Sequence, residues 1–104
     1  MERSGEAMQI LQNFNKAFES KARLGIMSVL LVNEEMNFNA LKEILNLTDG
    51  NLATHLRALE EANYILVKKS FIGRKPNTNY AITEAGKTAF NEHLDALESF
   101  LKNS

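Results

Sequence analysis

The sequence predicts a mainly α, α+β domain carrying one small β-hairpin, and three observations support that prediction. Apolar residues recur at helical spacing in several separate segments; two of these segments are parted by only a few residues around Asn46; and alternating residues flank a turn containing glycine and proline between Tyr64 and Ile82. At 104 residues the chain has the length of one domain, able to bury roughly 65% of the surface its unfolded form exposes. With 44% apolar residues, 24% charged ones and a single proline, it can fold without staples.

The first segment, Ala7 to Phe18, places Ala7, Ile10, Leu11, Phe14 and Phe18 at intervals of three and four, which predicts an amphipathic helix. Ser20 to Val32 is apolar on more than one side, as a central helix is. Asn33 to Met36 is a polar break, and Met36 to Phe38 is a turn or one brief extended piece. Asn39 then caps a short helix that turns Leu41, Ile44 and Leu45 inward and ends near Asn46.

Thr48 restarts helical structure, since its hydroxyl can accept from the free amides of Gly50 or Asn51, and Asp49 sets a carboxylate in the positively polarised first turn. Leu52, Leu56 and Leu59 project from one side of this helix, while Asn51, Thr54 and Arg57 project from another. It stops near Asn63, a residue that tolerates the left-handed conformation of a helix end. Tyr64 to Ser70 reads as a strand and Asn79 to Ile82 as a shorter one, with Phe71 to Thr78 turning the chain back. Thr83 caps the last helix, on which Phe90, Leu94, Leu97 and Leu101 share one face and Ala89, Ala96 and Phe100 a second.

The domain divides into an N-terminal helical extension (1–19), a core (20–82) and a C-terminal helix (83–104). Two helices joined by a tight turn, the second the longer, make a helix-turn-helix, and the following hairpin makes it winged.

Charge is distributed unevenly. The formal net charge is −1, which argues against a phosphate-binding surface, yet the segment from Ile65 to Thr83 holds Lys68, Lys69, Arg74 and Lys75 and no acidic residue. That segment is +4 and the rest of the chain −5. Four cations without a neighbouring acid suit contact with phosphates better than a merely solvated hairpin. Asparagine can pair with adenine in the major groove, arginine with guanine, and a threonine methyl can meet that of thymine. Gly50 lets the helix N-terminus approach a phosphate closely.

The stretch LKEILNLTDGNLATHLRALEEANYI, followed by VKKSFIGRKPNTNYAITEAGKTAF, resembles the small single-domain winged-helix regulators related to the MarR and ArsR groups, from about Lys21 to the C-terminus. The resemblance implies a dimeric, bacterial-type transcriptional regulator of double-stranded DNA, its recognition helix in the major groove and its wing on backbone or minor groove. Carried over by position, the groove-facing residues are Thr48, Asp49, Gly50, Asn51, Thr54, His55 and Arg57, joined in the wing by Arg74, Lys75, Asn77 and Thr78. Asn63 stands where such sequences usually carry glycine, and the segment before Ser20 has no motif to match.

His55, next to Leu56, either faces DNA or is hydrogen-bonded within the helix-turn-helix, and His93 reads as a surface or interface residue. The apolar residues Ile10, Leu11, Phe14, Phe18, Phe90, Leu94, Leu97, Phe100 and Leu101 lie outside a minimal winged core and predict a homodimer interface. A two-fold dimer sets its recognition helices about 34 Å apart.

Other chemistry finds no support. The absence of cysteine excludes thiolate metal sites, disulfides and cysteine nucleophiles, and a reducing cytoplasm is the compartment expected. Two distant histidines do not make a zinc site, and neither GxxxxGK[ST] nor GxGxxG spacing occurs, so no cofactor is expected. MERSGEAMQI is no signal peptide, and no stretch approaches the roughly 18 apolar residues of a membrane span. Carboxylates alternate with lysines or occupy helix surfaces, so an enzyme is not expected. The competing reading is a winged-helix module that binds another protein rather than DNA. Neither the operator, the sign of regulation nor a small-molecule effector is legible.

Overall fold

A computed structural model describes residues 15–18 and 20–103. Its order is a 3-10 turn (Lys16–Phe18), α1 (Lys21–Val32), β1 (Met36–Asn37), α2 (Phe38–Leu45), α3 (Asp49–Glu61), β2 (Ile65–Ile72), β3 (Lys75–Ile82) and α4 (Glu84–Asn103). The strands form one antiparallel sheet in the order β1-β3-β2. Four helices and this sheet make the α+β winged helix-turn-helix expected.

Ile10, Leu11 and Phe14 of the expected first helix lie outside the described residues. That helix does not run through to Phe18 as expected. Asn15 Oδ1 accepts from the Ala17 amide at 2.9 Å and Asn15 O from the Phe18 amide at 2.9 Å, closing a single tight turn instead. The turn drives Phe18 into the core, where its ring lies 5.3 Å from Tyr64 and 5.4 Å from both Phe90 and His93. Phe18 and Phe90 are therefore buried within a single chain, not displayed for a dimer interface, and His93 is buried rather than superficial. The His93 Nδ1 accepts from the Asn15 amide at 3.3 Å.

Helix α1 starts at Ser20, whose Oγ accepts from the Arg23 amide, and it buries Ile26, Met27 and Leu30. It is the central helix expected. Gly25 has a packing reason: a Cβ there would stand 2.8 Å from Leu45 Cδ2, so its absence lets α1 and α2 approach. The brief extended piece is β1, which pairs Met36 with Tyr80 and Asn37 with Asn79. Capping of α2 falls to Asn37 rather than Asn39. Asn37 is still extended at the strand end, and its Oδ1 accepts from the Ala40 amide at 2.7 Å.

The hairpin is longer and its turn tighter than the sequence suggested. Ile72 pairs with Lys75, so the loop is only Gly73 and Arg74, and the positive φ of Gly73 (64°) with none at Arg74 matches a type II′ turn. Pro76 lies inside β3, not in the turn. In a ladder closed by a two-residue loop, Ile72 and Lys75 form the hydrogen-bonded pair and Phe71 and Pro76 the next, non-hydrogen-bonded one. The missing proline N–H is then not required by the ladder with β2.

Candidate nucleic-acid interface

Helix α3 is held at both ends. At its start Thr48 Oγ1 accepts from the Asn51 amide at 3.2 Å, and Lys42 Nζ of α2 reaches Asp49 Oδ1 at 2.8 Å. At its end Asn63 takes the left-handed conformation (φ 62°), the Tyr64 amide donates to Leu59 O at 3.0 Å, and the chain leaves the helix at a sharp corner. Helix α4 clamps that corner. The Thr83 hydroxyl donates to Asn63 O at 2.7 Å while accepting from the Gly86 amide at 2.9 Å, and the Thr83 amide donates to Tyr64 O at 3.0 Å.

Between those anchors Leu52, Leu56 and Leu59 are buried, which turns Gly50, Asn51, Thr54 and Arg57 to solvent. Thr54 spends its hydroxyl proton on Gly50 O at 2.9 Å, leaving its methyl group and oxygen lone pairs for outside partners. The first intrahelical bond of α3 runs from the Leu52 amide to Thr48 O at 2.9 Å, and Thr48 Oγ1 takes the Asn51 amide. The amides of Asp49 and Gly50 have no carbonyl one turn back to receive them.

His55 belongs to the packing of the helix-turn-helix. It is half-buried, and its Nδ1 accepts from Arg23 Nε of α1 at 3.2 Å. Burial first, and the Arg23 charge second, hold its imidazole pKa below the ordinary 6.5. It is a neutral acceptor facing α1, not a residue turned to the groove.

The wing is less uniformly basic in space than along the chain. Glu35, just before β1, accepts from Lys68 Nζ at 3.2 Å through Oε2 and from Asn79 Nδ2 at 3.1 Å through Oε1. The Asn79 hydrogen bond, then that of Lys68, holds the Glu35 carboxyl below its usual pKa. Lys68 is thus compensated by an acid 33 residues earlier, a partner that linear spacing gave no signal of. Lys69, Arg74 and Lys75 are exposed, and among the described residues no ion pair involves them. Asn77 is half-buried and donates to Asn79 Oδ1 at 3.0 Å, which orients it along the strand.

A cleft runs between α3 and the hairpin, with Arg57 and Glu60 on one wall and Lys69, Thr78 and Tyr80 on the other. Of the expected site residues this brings Arg57 of the helix face and Lys69 and Thr78 of the wing to one concave surface, while Asn51, Thr54, Arg74 and Lys75 are outside its lining. Its two ends differ. Burial, and secondly the Glu60 carboxylate, raises the Tyr80 phenol pKa, so that end presents a neutral phenol beside a carboxylate. The Lys69 and Arg57 groups provide its positive charge.

Beyond the cleft, Leu94, Leu97 and Leu101 remain exposed along α4. No helix among the described residues is long and apolar enough to cross a membrane.

The sequence model of the family described as "Winged helix DNA-binding domain" matches residues 22–101 of this chain. An uncharacterized protein of Methanocaldococcus jannaschii is 42% identical over 88 residues, which cover 85% of this chain and 96% of that protein. Among solved structures, a transcriptional regulator homologue from Pyrococcus horikoshii OT3 is 30% identical, superimposes with a TM-score of 0.80 and is matched over 98% of this chain and 96% of its own. PadR of Bacillus subtilis, solved in complex with operator DNA, shares the fold at 16% identity and a TM-score of 0.62, over 69% of this chain and 46% of PadR. By the extent of the family match and the likeness to the Pyrococcus protein, the chain belongs to the winged helix DNA-binding domain family of transcriptional regulators.

Proposed function

We propose that this regulator binds duplex DNA as a homodimer, with Asn51, Thr54 and Arg57 reading base edges in the major groove and Lys69, Arg74 and Lys75 seated on flanking phosphates. One observation carries the reading. Arg57 on the solvent-facing polar side of α3 and Lys69 of the wing line the same cleft, so a single strand of phosphates can touch both elements. The amides of Asp49 and Gly50 add a helix N-terminus at which a phosphate is favoured. Asp49 would oppose that charge, and Lys42 at 2.8 Å offsets it. Asp49 is accordingly assigned to joining α2 and α3 rather than to base contact, and Lys68 to its pair with Glu35.

The dimer reading draws on Leu94, Leu97 and Leu101, which recur on one face of α4 and are 39%, 37% and 64% exposed. Phe100 lies beside them and is half-buried. A two-fold pairing through this face presents two copies of α3 to half-sites about one helical turn apart.

Selection of bound duplexes from a random pool, followed by anisotropy across a salt series, tests the proposal. A recovered sequence with two half-sites, and a salt slope that becomes shallower by about one unit per wing cation changed to alanine, is the expected result. A folded dimer that enriches no sequence and binds no duplex at low salt would overturn it.

A further inference from the structure

The tip of the wing combines two properties that a solvated hairpin does not need together. Phe71 and Ile72 are 72% and 69% exposed, side by side in sequence, within a segment that carries cations and no acid. The sheet gives them reach. Among the described residues strand β1 pairs with β3 only at Asn79 and Tyr80, so beyond the Lys68–Asn79 pair the ladder is two-stranded, with Pro76, Asn77 and Thr78 of β3 still beside Asn37, Phe38 and Asn39. Three steps from Lys68 to Phe71 at about 3.3 Å each carry that ring roughly 10 Å beyond the last pair shared with β1.

The register also gives Phe71 a direction. Val67 and Tyr80 are paired, as are Lys69 and Thr78, and all four line the cleft beside α3. Side chains alternate across a strand, so the next pair on that same face is Phe71 and Pro76. An apolar facet therefore stands outward of the cleft on the same face, with Lys69 beside it and Arg74 and Lys75 at the turn beyond it.

We infer that Phe71, backed by Pro76, is an apolar wedge that enters the minor groove beside the recognition site and partly unstacks one base step there. The inference rests on the DNA-binding reading above. With α3 in the major groove, the adjoining minor groove lies about half a helical turn away, roughly 17 Å, on the side of α3 where the hairpin stands. A groove about 6 Å wide excludes a two-stranded ribbon but admits side chains at its tip. Apolar side chains inserted between base steps open the step and kink the duplex toward the major groove, and cations beside them hold the phosphates that border the opening. A lipid surface would also suit cations with exposed apolar groups, but the wedge faces the α3 cleft rather than forming an isolated tip, and this favours DNA.

The test uses the full chain and the duplex recovered by selection, with 2-aminopurine replacing adenine, or introduced, at successive positions of the flanking minor groove. Wild-type protein is expected to raise the emission of the probe at one flanking step and to bend the duplex in a circular-permutation gel. Phe71→Ala is expected to lose both signals and about tenfold in affinity, while Phe71→Leu, which remains apolar, retains the bend; the base preference set by α3 and the salt slope stay as in wild type. Melting of each variant within a few degrees of wild type is expected, because the side chain is mostly exposed. Binding with no emission change at any step, or an emission change that survives Phe71→Ala, overturns the wedge and leaves the DNA-binding reading standing. Failure of wild type to bind any duplex overturns both. Phe71-dependent sedimentation with vesicles of anionic phospholipid, coupled with DNA binding that ignores Phe71, would assign the tip to a membrane surface and overturn the wedge.

Discussion

Changing Gly50 to alanine should make the protein more stable and a poorer DNA ligand. Gly50 is the second residue of α3, has no positive φ, and a Cβ built on it meets nothing within 4 Å. The fold thus gains nothing from the glycine and loses backbone entropy by it. Glycine costs about 0.5–1 kcal/mol relative to alanine within a helix, and the lower figure suits the first turn. A gain of about 0.5 kcal/mol corresponds to roughly a twofold larger folding constant and a melting temperature higher by about 2–4 °C. At the same time the new methyl group would stand at the helix N-terminus beside the Gly50 amide and hold a phosphate away from it. A hydrogen bond to a charged group is worth about 1.5–3 kcal/mol, so affinity should fall by roughly tenfold or more. Circular-dichroism melting and anisotropy with the same duplex measure the two effects. An alanine variant that is more stable and binds as tightly as wild type would refute the phosphate contact; one that loses stability as well as binding would return the glycine's role to the fold.

Three further outcomes are expected. Gly86→Ala should be severely destabilising, because its Cβ would lie 2.1 Å from Tyr64 O, a backbone atom fixed by the Thr83 clamp; urea titration should show a loss of several kcal/mol, and a loss under about 1 kcal/mol would mean that the corner is free to open. Phe18→Ala should cost about 3–5 kcal/mol as a core truncation, whereas Leu101→Ala should leave the melting of a monomer nearly unchanged and weaken self-association in sedimentation equilibrium; the reverse ranking would place Phe18 at an interface after all. His55 should destabilise the fold in mild acid: its folded pKa is depressed below 6.5, so the unfolded state takes up the proton first, and stability present above that pH is lost as pH falls through it. Its ring resonance should titrate with a midpoint under 6.5, and His55→Gln should flatten the fall in melting temperature between pH 7.5 and 5.5.

Elements with local causes were legible in the chain, and those set by distant partners were not. Thr48, Asn46, Asn63 and Thr83 mark helix ends because capping and left-handed conformations depend on a few adjacent atoms, and all four act at the ends where the sequence placed them. Asn39 failed as a cap because Asn37 is placed by its pairing with Asn79, forty-two residues away. Phe18 and Phe90 share the helical spacing of interface residues, and periodicity alone reports an apolar face without saying whether the same chain covers it. The cation count overstated the charge of the wing for a similar reason, since Glu35 reaches Lys68 only through the sheet. In the candidate site, Asn51, Thr54 and Arg57 were legible from helical geometry, but Lys42, Glu60 and Tyr80 required the packed structure.

The two halves of the site are built with different constraints, and this bears on how they can recognise DNA. Helix α3 is seated on the core by Leu52, Leu56 and Leu59, tied to α1 by Arg23–His55 and to α4 through the Thr83 clamp, so the spacing of Asn51, Thr54 and Arg57 relative to the core is predetermined. Such fixed side chains suit base edges, where a hydrogen bond is won or lost by a fraction of an ångström. Among the described residues the outer hairpin has no third strand, and it carries its cations with an exposed apolar facet, features suited to a backbone and to groove shape rather than to a base code. Specificity should therefore divide between them. Substitutions on α3 should change which bases are preferred at contacted positions, whereas substitutions on the wing should change dependence on salt and on the ease of opening a flanking step. A selection experiment that found Phe71→Ala altering preferences only at positions under α3, with flanking positions unaffected, would contradict this division and imply that the hairpin acts through the helix instead of beside it.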